Sequence, residues 1–192
     1  MLSRYAAYGQ SMRTNPKLKN GLNVLRMLDA ERGAVVPNPD GLPRVTVPLQ
    51  LVAVASDAES RKQLSTLDPA SQALVPVKLA AIRQDRQATA QVVDYSESRY
   101  RIHDRSGTDT LLRVSAAYFP GWTARVDGRA REVHPVDHAL IGVVVPPGER
   151  DLVLEYHSTY FAAGAAISLL TLLGCVVVIA RTPLRNTSHI QG

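Results

Sequence analysis

From Phe161 to Ala180 the chain reads FAAGAAISLLTLLGCVVVIA, twenty residues without a charge. A bilayer's hydrocarbon core is ~30 Å thick, and a helix rising ~1.5 Å per residue crosses it in about 20 apolar residues. The run meets that length with nothing to spare. Its polar members, Ser168 and Thr171, can bond back to helix carbonyls, so lipid does not forbid them. Tyr156, Tyr160 and Phe161 stand at its start, where aromatic rings favour the headgroup level. Arg181 follows at once, then Pro183 and Arg185, and a charge before a proline ends a span well. The sequence predicts a C-terminal transmembrane helix with its flanks over 158–181, anchored between Phe161, Ala180 and Arg181. Its partner is the lipid bilayer, and a short basic tail over 182–192 follows. The competing reading is a buried core helix of a soluble protein.

Charge narrows the function classes. Twenty-two Lys and Arg against 17 Asp and Glu give a net charge of +5, but the arginines are spread singly along candidate strands. That pattern fits a solvated surface, and without an aromatic-basic RNA motif no nucleic-acid partner is expected. The one cysteine, Cys175, lies inside the apolar run. No intrachain disulfide can form, so cysteine usage does not report the compartment.

The N-terminus, MLSRYAAYGQSMRTNPK, has no continuous apolar stretch and does not read as a signal peptide. Taken literally, the chain is tail-anchored with its soluble part in the cytosol. Taken as the end of a longer polypeptide, the soluble part lies outside, delivered by earlier membrane spans. Arg181 and Arg185 follow the span, whereas Arg150 is the one Lys or Arg in the twenty residues before it. That bias favours a cytoplasmic C-terminus and an extracytoplasmic domain at a bacterial inner membrane.

Ahead of the span the grammar is mainly β (α+β). Residues 1–16 carry no clear pattern and are expected to be poorly ordered, with a turn at Asn15-Pro16. Leu18, Leu22, Leu25 and Leu28 recur at helical spacing, predicting a helix over Lys17–Ala30 that stops near Gly33, with a loop following. Arg44 to Val54 alternates as one strand, or as two split at Pro48. Ser56-Asp57-Ala58-Glu59 is a capping-box pattern that opens a short helix through Leu67, with Leu64 and Leu67 on its buried side. Ala73 to Ala81 reads as a strand.

From Gln87 onward almost every signal is β. Runs over 88–94 and 98–103 precede a turn at 106–109, and Leu112, Val114, Ala116 and Tyr118 then alternate with polar or small neighbours. Phe119-Pro120-Gly121 makes a corner. Asp127-Gly128 between two runs is the strongest short hairpin signal, because both loop positions need φ > 0. Ala139 to Val145 is a near-continuous apolar strand. Leu152 to Tyr156 closes the domain, and His157 to Tyr160 joins it to the span. The fold class is a β-sandwich-like domain of about seven to nine strands over 17–157, with two short N-terminal helices and a sub-boundary near 82–87 left open.

Tyr118-Phe119-Pro120-Gly121-Trp122, then Val126-Asp127-Gly128, then Val144-Val145-Pro146-Pro147-Gly148, a last strand ending in Tyr156 and a final span together resemble the C-terminal end of the YfhO family of bacterial multi-pass membrane proteins. Leu42-Pro43-Arg44 and Leu67-Asp68-Pro69 add weaker matches upstream. The family resembles the C-type glycosyltransferase superfamily. That implies an extracytoplasmic β-domain behind a bundle of membrane helices, accessory to glycosyl transfer or cell-envelope polysaccharide assembly, with a glycan or lipid-linked sugar and other membrane helices as partners. In that superfamily the catalytic acids sit on the first extracytoplasmic loop, a region this chain lacks. No catalytic residue carries over, and the chain alone is not expected to be an enzyme. The alternatives are a tail-anchored protein-binding module and a structural cap without a ligand.

The residues offer few sites. Tyr118 and Trp122 flank the corner and can stack on a sugar face, although alternation points both inward, where they would plug the sandwich. His134, Asp137 and His138 contain metal-ligating types, but the segment reads as strand and turn and Pro135 opposes a helix, so no metal is expected. Asp151, His157 and Ser158 lack a nucleophile elbow. With no phosphate loop or dinucleotide fingerprint, no cofactor is expected.

Overall fold

The computed structural model describes residues 2–181. The chain divides into two compact units, with the division between His157 and Ser158; residues 82–87 lie inside the first without a break. Among the described residues the first unit opens with α1 (Leu2–Ser11), a 3-10 turn (Pro16–Leu22), β1 (Arg26–Asp29), β2 (Ala34–Pro37), β3 (Val45–Thr46), β4 (Gln50–Val54), α2 (Asp57–Gln63), β5 (Gln72–Pro76) and a 3-10 turn (Val77–Leu79). It continues with β6 (Thr89–Tyr95), β7 (Arg99–Ser106), β8 (Thr110–Ala117), β9 (Trp122–Val126), β10 (Arg129–Arg131), β11 (Val133–Val136), β12 (Leu140–Val145) and β13 (Gly148–Tyr156).

Two antiparallel sheets carry this unit, one ordered β10-β9-β13-β7-β6 and the other β11-β12-β8-β3. One apolar core lies between them. Tyr100, Ile102, Ala124, Val126, Leu152 and Leu154 from the first sheet pack against Val45, Leu112, Val114, Ile141, Val143 and Val145 from the second. Side-chain alternation makes this face: β7 buries Tyr100, Ile102, Asp104 and Ser106 and exposes Arg99, Arg101, His103 and Arg105.

The second sheet is covered on both faces. Leu111, Val136 and Leu140 pack away from the shared core, against Ala73, Val75 and Leu79. Strands buried on both sides lose their polar alternation, which is why Ala139 to Val145 reads as an unbroken apolar run. The covering layer is β4 and β5, a parallel pair joined by α2, because parallel neighbours need a crossover. Of the two readings of the Arg44–Val54 run, the split at Pro48 is the one observed, and β3 and β4 belong to different sheets. The capping box also forms: Ser56 Oγ accepts from Glu59 N, and Glu59 Oε2 accepts from Ala55 N. Leu64 and Leu67 are buried.

Several expectations are corrected. The helix over Lys17–Ala30 is a 3-10 turn ending at Asn23 in the left-handed region (φ 59°), followed by the β1–β2 hairpin. Leu18 is buried, whereas Leu25 and Leu28 are exposed, so helical spacing here did not mark one buried face. Residues 2–11 form α1, and Tyr8 is buried with its hydroxyl donating to Leu18 O at 3.0 Å. The predicted loop after Gly33 contains β2, the capped helix ends at Gln63, and the Ala73–Ala81 strand stops at Pro76, while the strand and turn read around His134 appear as β11.

The second unit is described through α3 (Thr159–Arg181), 23 residues long. Thr171 Oγ1 donates to Ile167 O at 2.9 Å, the back-bond expected of a hydroxyl in an apolar helix. Side chains of α3 are described at 164 and 167–177; those of Phe161, Ala180 and Arg181 lie outside the described residues, as does the tail 182–192. Among the described residues no helix is long and apolar enough to cross a membrane.

Candidate binding groove at the tyrosine–tryptophan corner

The corner after β8 is held by backbone bonds. Tyr118 N donates to Ala139 O at 2.8 Å, and His157 N donates to Gly121 O at 2.9 Å. Gly121 has φ 111°, and a Cβ there would stand 2.5 Å from His157 O. Only glycine fits this close approach. The turn then launches β9 with Trp122 directly opposite Tyr156 of β13.

A row of rings crosses the sheet at this end. Tyr95 stacks on Tyr100 at 6.4 Å between centroids, Tyr100 meets Trp122 at 5.8 Å, and Trp122 meets Tyr156 at 5.4 Å. These separations suit attractive offset or tilted aromatic pairs. The Arg44 guanidinium lies over Tyr95 at 4.8 Å and over Tyr100 at 5.9 Å, within cation–π range. Tyr118 and Trp122 are half-buried and pack against the shared core. The inward direction read from alternation therefore holds, yet neither ring is sealed.

Both rings line a groove of about 280 Å³ with Phe119, Pro120, Arg131 and Val133, near the lower end of small-ligand sites. The β9–β10 register places Arg131 opposite Ala124. Directly opposite residues share a face, so Trp122, Ala124 and Arg131 lie on the same side of the sheet. Arg125 also lines the groove, but strand alternation puts it on the opposite face of the sheet, and its Nη1 donates to Gly128 O at 3.2 Å.

Charges around the groove are unevenly paired. Glu132 binds Lys78 at 2.6 Å and His134 at 3.4 Å, and Glu155 binds Arg99 at 3.3 Å. Arg131 makes no ion pair among the described residues, and the Trp122 indole N–H and Tyr118 hydroxyl have no protein hydrogen-bond partner among them. The groove thus combines half-exposed rings, two free polar edges and an uncompensated guanidinium. Sequence reasoning named the rings and missed Arg131; the hairpin register at Asp127-Gly128 held the signal.

Asp127 and Gly128 form the two-residue loop, with φ 48° and 79°. Asp127 also ties the hairpin to β13: its Oδ1 accepts from Asp151 N at 3.0 Å and its Oδ2 meets Arg150 Nη1 at 3.4 Å. Close by on the sheet, Asp104 stands opposite Arg150. Both Asp104 carboxylate oxygens, Ser106 Oγ and Arg150 Nε are buried without a protein partner. Burial is the main reason the Asp104 carboxyl is pushed up to about 6. A broader cleft of about 580 Å³ opens at the far end of β7, lined by Asp85, Arg105, Ser106 and Glu149 among others. The Asp85 carboxylate is occupied there by the backbone N–H groups of Gly107 and Gln87, at 2.6 and 2.8 Å.

The other sequence candidates do not assemble. Asp137 is committed to Arg113 and to Leu74 N, so it is not available to join His134 and His138 around a metal. Asp151 pairs with His103 at 3.0 Å, and His157 with Glu155 at 3.7 Å, so the Asp151–His157 relay is not built.

The family model described as bacterial membrane protein YfhO matches residues 74–168. An uncharacterised protein YfhO of Bacillus subtilis (strain 168) is 27% identical over 101 residues, which is 53% of this chain and 12% of that protein. This chain therefore corresponds to a small part of the relative's length. No solved structure matches. The family match starts in β5, crosses the ring-lined corner, the Asp127-Gly128 hairpin and β13, and continues into α3. The chain is a YfhO-family protein through residues 74–168, and that family is one of bacterial membrane proteins.

Proposed function

We propose that this chain is a membrane-anchored, non-catalytic β-module of a YfhO-like membrane protein, accessory to glycosyl transfer or cell-envelope polysaccharide assembly. In this reading α3 spans the inner membrane, the β-unit faces outward and the C-terminus faces the cytoplasm. Its partners are the bilayer, other membrane helices of a longer polypeptide, and a glycan or lipid-linked sugar. One observation carries the anchor. The uncharged run 161–180 lies within a 23-residue helix entered directly after β13, and the family match extends across that junction to residue 168. The half-exposed rings at the corner support the sugar, because aromatic faces stack on the apolar side of a pyranose.

Topology tests this reading. In intact bacteria, the chain with Cys175→Ala and Arg129→Cys is treated with a membrane-impermeant thiol reagent, and a reporter is fused after Gly192. Labelling at 129 from outside, with a reporter active inside, is the expected result. Labelling only after lysis would place the β-unit in the cytosol and replace the reading with a tail-anchored binding module.

A further inference from the structure

We infer that the corner groove binds an anionic pyranoside, with the sugar ring against Trp122 and Tyr118 and its phosphate on Arg131. The inference rests on the proposed sugar-handling role and gives it a site and a charge. Four observations converge. The groove holds about 280 Å³, room for one sugar unit and little more. Both rings are half-buried against the shared core, and Trp122 is also held by Tyr100 and Tyr156, so little ordering cost remains on binding. The Trp122 N–H and Tyr118 O–H point to no protein acceptor among the described residues. They can therefore take hydroxyls of the ligand.

Charge decides the ligand class. Glu132, next to Arg131 in the chain, and Glu155, paired with Thr123 across β9 and β13, are already held by Lys78 and Arg99. Arg131 keeps its full charge on the face that carries Trp122. A guanidinium presents a planar fork of donors that matches phosphate oxygens. A neutral sugar would leave that charge unused, and inorganic phosphate would leave the rings unused. A pyranose bearing a phosphate uses both.

The test uses the full chain in detergent micelles. Trp122 is the only tryptophan in the sequence, so its emission reports from inside the groove. Glucose 1-phosphate is titrated against it, with glucose and inorganic phosphate as separate arms, and isothermal calorimetry checks each affinity. Glucose 1-phosphate should bind tightest, and Arg131→Gln should weaken it roughly 10- to 100-fold, as expected for losing a hydrogen bond to a charged group. Glucose affinity should be unchanged in that variant. Arg101→Gln, on the exposed face of β7, is the control for general charge. Trp122→Phe keeps an aromatic face and should retain calorimetric binding, whereas Trp122→Ala should not. Far-UV circular dichroism confirms that each variant is folded. Equal affinity for inorganic phosphate and glucose 1-phosphate, or no effect of Arg131→Gln, overturns the inference. So does an absence of binding by the folded chain. The topology experiment reads neither affinity nor Trp122, so the anchor and the groove stand or fall separately.

Discussion

Arg113 and Asp137 meet at 3.0 Å with side chains 2% and 0% exposed. The pair ties four segments of the fold together. Arg113 also donates to Thr46 Oγ1 at 3.0 Å, to Gln72 O at 3.1 Å and to Pro69 O at 2.6 Å, while Asp137 Oδ1 accepts from Leu74 N at 2.7 Å. Its stabilising value comes from completeness, because a buried pair offsets its desolvation only when the remaining donors and acceptors are met. Asp137→Asn keeps the left-handed backbone (φ 47°) that asparagine tolerates. It nevertheless leaves the guanidinium without a counter-charge. Urea unfolding of the full chain should show a loss of about 3–5 kcal/mol. Adding Arg113→Met should recover part of it, giving a non-additive cycle.

Asp104 should make stability depend on pH in a defined direction. Its folded pKa is raised from 3.8 to about 6, first by burial, with Asp127 and Asp151 pushing the same way and His103 and Arg150 opposing. The folded state therefore holds this proton more tightly than the unfolded chain does. Stability contributed by Asp104 falls as pH rises from about 4 to 6, and the penalty is constant above that. Asp104→Asn should raise the unfolding free energy at pH 7.5 by roughly 1–3 kcal/mol and change it little at pH 4. Paired melts at the two pH values check it, and an equal effect at both would exclude titration as the cause.

Gly121→Ala should disturb the corner more than any methyl group's size suggests. The added Cβ would meet His157 O at 2.5 Å, on a backbone with φ 111°. A loss of about 1–3 kcal/mol is expected, accompanied by a changed Trp122 emission spectrum, because Trp122 is the next residue. A melt indistinguishable from the parent would show that the corner relaxes freely.

Ser56→Ala removes the side-chain acceptor for Glu59 N, a bond of 3.2 Å. About 1 kcal/mol should be lost, and Ser56→Asp should restore most of it. Denaturant midpoints of the three chains give the comparison.

Local chemistry made much of this fold legible. Pro48 removes a ladder donor, Ser56 and Glu59 cap each other, and Asp127-Gly128 supplies two positive φ angles; each effect acts within a few residues. Leu18, Leu22, Leu25 and Leu28 misled because Asn23 in the left-handed region (φ 59°) interrupts the helix between them. The partners Arg113 and Asp137 are 24 residues apart and looked like a surface arginine and a turn aspartate. Their meeting depends on β8, β11 and β5 arriving at one place, which no short pattern encodes. The groove was half legible for the same reason. Its rings announce themselves by type, whereas Arg131 joins them only through hairpin register.

Two residues, His157 and Ser158, separate β13 from α3, and β13 is the middle strand of its sheet, bonded to β7 along one side and β9 along the other. The chain thus leaves this unit from the interior of a sheet: freeing β13 means parting two ladders, with β7 and with β9, whereas edge strand β10 is held by β9 alone.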